Sequence, residues 1–137
     1  MKILFVTPEA NHWASARLRA AWPARYIEGA EIKQIIELED CSTYDACIFI
    51  KVFPLDDFEA IQLNRVKQIW WDVCDPAWWW NPKDCRIIVD RVSGIVASNQ
   101  KLANDFTKWS GRKTHVIPDR IELDHYPIQK KHDHPAD

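Results

Sequence analysis

The chain has 137 residues with a formal net charge of −2, and 47% of them are apolar and 28% charged, which suits one globular domain and leaves little room for a second. That charge balance offers no general attraction to nucleic acid or to an anionic membrane, and no stretch is long and apolar enough to span a bilayer. The first apolar run, residues 3–6, is too short for a signal-peptide core and no cleavage site of small residues follows it, so a cytoplasmic address is expected.

Residues 2–7 read as a buried strand stopped by Pro8, followed by a loop over 9–14. Ser15 is a good N-cap for a helix running to about Glu28, with Leu18, Trp22 and Tyr26 on one face, Pro23 predicting a kink and Gly29 closing the end. A second strand over 31–36 leads into a polar, acidic stretch over 37–43. The apolar run within 45–51 is typical of a parallel strand covered on both faces. Pro54 ends it, and Asp56 or Asp57 caps a helix to about Val66. Residues 67–74 form the next strand, and 75–82 a loop. A helix over 83–92 presents Ile87, Ile88 and Val92, and 94–98 is a short strand. Asn99 caps a helix carrying Leu102, Phe106 and Trp109 that stops at Gly111, and 114–117 is the last strand, closed by Pro118. Strands alternating with helices in this way call for a doubly wound α/β fold: a parallel sheet of about six strands with helices on both faces. The domain covers 1–127, and 128–137 reads as a polar tail.

Ligands of such sheets bind beyond the carboxyl ends of the strands, where the strand order reverses. In the order 3-2-1-4-5-6 the reversal lies between the first strand and the strand ending at Cys74. Asn11, His12 and Trp13 would then face Asp72, Asp75, Trp78, Trp79 and Trp80. Asp72 or Asp75, or His12 from the opposite wall, would serve as general base on a hydroxyl. The three tryptophans would stack on sugar faces or an apolar carrier, or pack against a neighbouring lobe. Arg17 and Arg19 oppose the dipole at a helix start, which suits an anion held there; lying about 200° apart around the helix, at most one faces the cleft. The first loop contains no glycine, which argues against NAD, and no cofactor is expected. His125, His132 and His134 lack ligand spacing, so no metal is expected either. Cys41, Cys47, Cys74 and Cys85 show neither zinc spacing nor the density of a disulfide scaffold and are expected to be reduced. Eight tryptophans exceed the needs of so small a core, so some are expected to meet a ligand or partner.

Several features resemble the N-terminal, acceptor-side lobe of two-lobed (GT-B) glycosyltransferases, in particular family 4. The opening strand, the pattern Ser15, Arg17, Arg19 with Pro23 and Tyr26 following, the strand after Tyr44 and Asp45, the Asp72 to Asp75 spacing, and Val96, Ser98, Asn99 followed by Val116, Pro118 and Asp119 carry the resemblance over about residues 1–127. It implies a Rossmann-like lobe that binds a sugar or lipid-linked acceptor and receives a sugar from a nucleotide-sugar donor. The expected substrate-binding set joins the loop residues Asn11, Trp13 and Trp78 to Trp80 with Ser15, Arg17 and Arg19, the pattern that the resemblance also carries. The glycine-rich first loop of many relatives is missing, and the sequence holds no second, donor-binding lobe. A second lobe, a partner subunit or another copy of the chain would have to supply it, and the chain alone is not expected to be a complete catalyst. Two other readings compete: a non-catalytic Rossmann-like binding or interaction module, and a flavodoxin-like regulatory domain, for which the loop after the first strand lacks an acidic cluster or phosphate-binding turn.

Overall fold

The computed structural model of the chain describes residues 1–8, 13–35, 41–53, 55 and 66–119. The helix predicted after Pro54 (Val66 apart), the loop residues Asn11 and His12, and the tail from 120 onward lie outside these residues.

Among the described residues six strands form one parallel sheet: β1 (Ile3–Thr7), β2 (Ala30–Gln34), β3 (Ala46–Ile50), β4 (Gln68–Val73), β5 (Gly94–Ala97) and β6 (His115–Val116). β1 and β5 are buried throughout, which is why they read as unbroken apolar runs. Successive side chains of a strand point to opposite faces. Leu4, Val6, Cys47, Phe49, Trp71, Val73 and Ile95 therefore build the larger core on one face, and Ile3, Phe5 and Ile50 a smaller one on the other.

Helix α1 is a continuous run over 14–25: an α-turn at Ala14–Ala16, a π-helical turn at Arg17–Ala21, and α-helix again at Trp22–Arg25. The wide turn immediately precedes Pro23, whose ring would otherwise collide with the carbonyl four residues back, that of Arg19. The expected kink is thus taken up as a π turn, and the helix ends at Arg25 rather than Glu28. Helices α2 (Pro82–Arg91) and α3 (Gln100–Ser110) cover the larger core. α2 starts with proline in its first turn, where the missing N–H costs nothing. Its buried side chains are Cys85, Ile88 and Val89, while Ile87 is 41% exposed. Of the apolar residues this helix presents, Ile88 turns inward and Ile87 outward, since one residue along a helix is a 100° rotation. In α3 the Asn99 side chain accepts from Leu102 N–H at 2.9 Å, and Gly111 ends the helix at φ +78°.

The sheet order is β2-β1-β3-β4-β5-β6, the flavodoxin-like order with a sixth strand added. The order 3-2-1-4-5-6 used to locate the cleft is corrected, and the reversal falls between β1 and β3. Right-handed crossovers explain the layering. The chain steps one way from β1 to β2, putting α1 on one face, and the other way from β4 through β6, putting α2 and α3 on the opposite face. Beside α1, the side chains of Ile48, Trp70 and Val96 line an apolar groove of ≈ 980 Å³ together with Leu18, Trp22 and Tyr26. Trp70 lies flat against Gly94, where a Cβ would come within 2.3 Å of its ring, so only glycine admits the indole there.

Candidate functional site

Residues after the carboxyl ends of β3, β4, β5 and β6 and at the start of α1 converge on a polar cleft of ≈ 270 Å³. Its wall is made by Trp13, Ser15, Leu18, Arg19, Lys51, Cys74, Asp75, Ser98 and Asp119. Four of the residues expected from the sequence, Trp13, Ser15, Arg19 and Asp75, meet here.

Arg19 is 7% exposed and forms the floor. It leaves α1 through the π turn and donates from Nε to Asp72 Oδ2 at 2.8 Å, with Nη2 2.6 Å from the same oxygen. Nη1 donates to the Ile117 carbonyl and lies 3.2 Å from Asp119 Oδ1. One guanidinium thus ties α1 to the ends of β4 and β6. Arg17, on the other side of the helix, is half-buried and is no part of the cleft wall.

Asp72 is 4% exposed and its Oδ2 is taken by Arg19; it positions Arg19, lies outside the wall of this cleft and borders the apolar groove instead. Burial lifts its carboxyl to about 6; Arg19 pulls the other way, and the nearby Asp119 carboxylate adds to the rise. Because this exceeds the value of about 3.9 for an unfolded aspartate, the folded protein holds that proton more tightly. The stability Asp72 contributes is therefore full below about pH 4 and is lost as pH rises through about 6. A ¹³C titration of the Asp72 carboxyl should have its midpoint near 6; a midpoint below about 4 would mean that Arg19 outweighs burial.

Lys51 is the residue that sequence reasoning missed. It follows β3 directly, at the strand-order reversal, with φ +67°, the one non-glycine at positive φ among the described residues. Val52 N–H donates to the Ile50 carbonyl at 2.8 Å, closing a γ-turn on Lys51, while Lys51 N–H donates to the Asp72 carbonyl at 3.0 Å. The turn swings the side chain across the cleft. Its Nζ lies 2.5 Å from Asp75 Oδ2 and 4.7 Å from the centre of the Trp13 ring. A left-handed non-glycine residue costs about 1–3 kcal/mol. A half-exposed ion pair contributes about 1 kcal/mol or less, and an exposed cation–π contact about 0.5–1 kcal/mol. These contacts at best offset the strain, the pattern of a residue placed for a ligand rather than for stability. The available signal was a lysine ending an otherwise apolar strand. Ser98 after β5 and Asp119 after β6 carry the same signal.

Burial holds the Cys74 thiol well above the ordinary range, with the Asp72 charge adding to the rise, so it stays protonated and is no nucleophile. None of the four cysteines is in a disulfide.

The tryptophan run does not join this cleft. Trp78 is 5% exposed and packs in the core against Phe106 and Trp109, with ring centres 4.9 and 6.1 Å away. Its expected role as a stacking platform is corrected, since no face is left for a ligand. Trp79 and Trp80 are 71% and 65% exposed. Trp80 lines a second cleft of ≈ 330 Å³ on the α2 side, and Lys51, Cys74 and Asp75 line both clefts. The Lys51–Asp75 pair stands between them as a partition.

Among the described residues there is no cluster of three or more metal-ligating side chains, and no helix is long and apolar enough to cross a membrane. No protein-family model matches the chain, no curated protein matches it, and no solved structure matches it.

Proposed function

We propose that this chain is the acceptor-side half of a sugar-transferring enzyme, resembling the N-terminal lobe of family 4 glycosyltransferases, and that the polar cleft holds the acceptor sugar. The observation that carries the reading is the wall of the cleft: an aromatic face (Trp13), a carboxylate (Asp75), an ammonium (Lys51) and two hydroxyls (Ser15, Ser98) around one small cavity at the strand-order reversal. Sugars present apolar C–H faces that stack on indole and hydroxyls that both donate and accept. Asp75, whose side chain is 41% exposed, is the carboxylate able to accept a proton from an acceptor hydroxyl. Arg19, Asp72 and Asp119 hold the floor. A donor-binding lobe, partner subunit or further copy of the chain supplies the nucleotide sugar.

Saturation-transfer NMR with a panel of mono- and disaccharides tests this. Neutral sugars should bind, and binding should fall at least tenfold in Trp13→Ala and in Asp75→Asn, a change of about 1.4 kcal/mol or more. UDP- and GDP-sugars should not bind the chain alone. Saturable nucleotide-sugar binding would place a donor site here, and a panel without any sugar binding would remove the acceptor reading.

A further inference from the structure

We propose that the apolar groove beside α1 is the docking site of the chain's own next segment, Arg120 to Ile128, laid along it from the carboxyl ends of the strands toward their amino ends. The proposal goes beyond the acceptor reading and does not depend on it.

The groove is a sheet face short of a cover. Among the described residues α1 is the only helix on this side, since α2 and α3 lie over the larger core on the other. Ile48, Trp70 and Val96 share the face that α1 leaves open, and Ile48 and Trp70 stay half-buried. At the rim Tyr26 is 78% and Ile117 56% exposed. Apolar surface of this extent, continuous and concave, is what a partner segment covers.

Direction, length and pattern choose the occupant. Ile117 N–H still bonds the Ala97 carbonyl at 3.0 Å, as a continuation of β6. The Ile117 carbonyl, however, accepts from Arg19, and Asp119 Oδ1 lies 3.2 Å from Arg19 Nη1. Arg19 belongs to α1, so residues 117–119 are drawn to the α1 side of the sheet, and Ile117 and Pro118 already line the groove. The chain therefore continues from the groove's own mouth. The lining reaches Gln68, the first residue of β4, whose six residues span about 20 Å. The nine residues from 120 to 128 span about 30 Å when extended, enough to run from one end to the other. Ile121 and Leu123 alternate with Glu122 and Asp124, and Tyr126 and Ile128 resume the two-residue spacing. That alternation suits a strip with one face against the groove and one in water. A second copy of the chain would lose its translational and rotational freedom on binding, whereas the tethered segment acts at an effective concentration near millimolar. Docking also joins the groove to the polar cleft, because Asp119 stands in the cleft wall and shares Arg19 with the groove.

The test is NMR on the full chain with labelled Ile, Leu and Val methyls. Nuclear Overhauser contacts should run from the Ile121 and Leu123 methyls to the Trp70 ring and the Val96 methyls, within one molecule of a monomer. Ile121→Asp with Leu123→Asp should remove them and raise the binding of an apolar fluorescent dye at least about fivefold, as the groove opens. Glu122→Gln with Asp124→Asn, on the face turned to water, should change neither. The wild-type contacts decide the matter even where the double aspartate variant loses its fold.

A wild type without those contacts, or one that binds the dye as strongly as a folded double aspartate variant, would overturn the proposal. So would contacts found only between differently labelled copies, which would make a second chain the occupant. An apolar small molecule that copurifies and contacts Trp70 would likewise replace the segment as the ligand of the groove.

Discussion

Arg19→Ala is expected to lower the unfolding free energy by about 3–5 kcal/mol, because it leaves the buried Asp72 carboxylate without its donor and breaks the bond to the Ile117 carbonyl. The guanidinium carries little stability simply by being charged, since taking it and Asp72 out of water offsets most of their attraction. The loss comes from orphaning the partners. The double variant Arg19→Met with Asp72→Leu, apolar and of similar volume, should therefore recover most of it, and denaturant unfolding of the three proteins measures the difference. A single variant within about 1 kcal/mol of wild type would mean that water reaches Asp72 and the floor is not sealed. The double variant should still lose sugar binding, since the link from α1 to β4 and β6 sets the cleft wall.

Trp78→Ala should cost about 3–5 kcal/mol, whereas Trp79→Ala and Trp80→Ala should each stay within about 0.5 kcal/mol of wild type. Removing Trp78 opens a cavity between Phe106 and Trp109 that neighbouring helices cannot close without giving up contacts to Trp71. Its neighbours lie mostly in water and remove little surface from it. Thermal or denaturant melts of the three single variants decide it. Equal small losses would place Trp78 outside the core, and the ligand-stacking role would return with it.

These two expectations also mark how far the sequence could be read. Its local patterns determined the parallel α/β class, because buried strands are nearly unbroken apolar runs and helices carry caps such as Asn99 and Gly111, both set by neighbours a few residues away. Asp75, Trp13, Ser15 and Arg19 were legible as candidates because polar and aromatic residues after a buried strand are where such sheets place ligands. The absence of a glycine-rich turn after β1 was equally plain from the residues alone.

The tertiary structure decided the rest. Strand order is a long-range choice, and the pairing of β1 with β3 moved the crevice so that Lys51 entered it. Three consecutive tryptophans have no distinguishing pattern among themselves, and only a short 3-10 turn at Ala77–Trp79, docked on α3, turned one ring inward and two outward. Asp72 and Asp75 stand three apart on one strand end, yet one is sealed beneath Arg19 and the other faces the cleft. Burial and ion pairing arise from residues 53 to 100 positions apart in the chain, such as Arg19 with Asp72 and Asp119, and no local pattern in a sequence encodes such distances. The sequence therefore determined which kinds of side chain could act, and the folded sheet decided which of them meet.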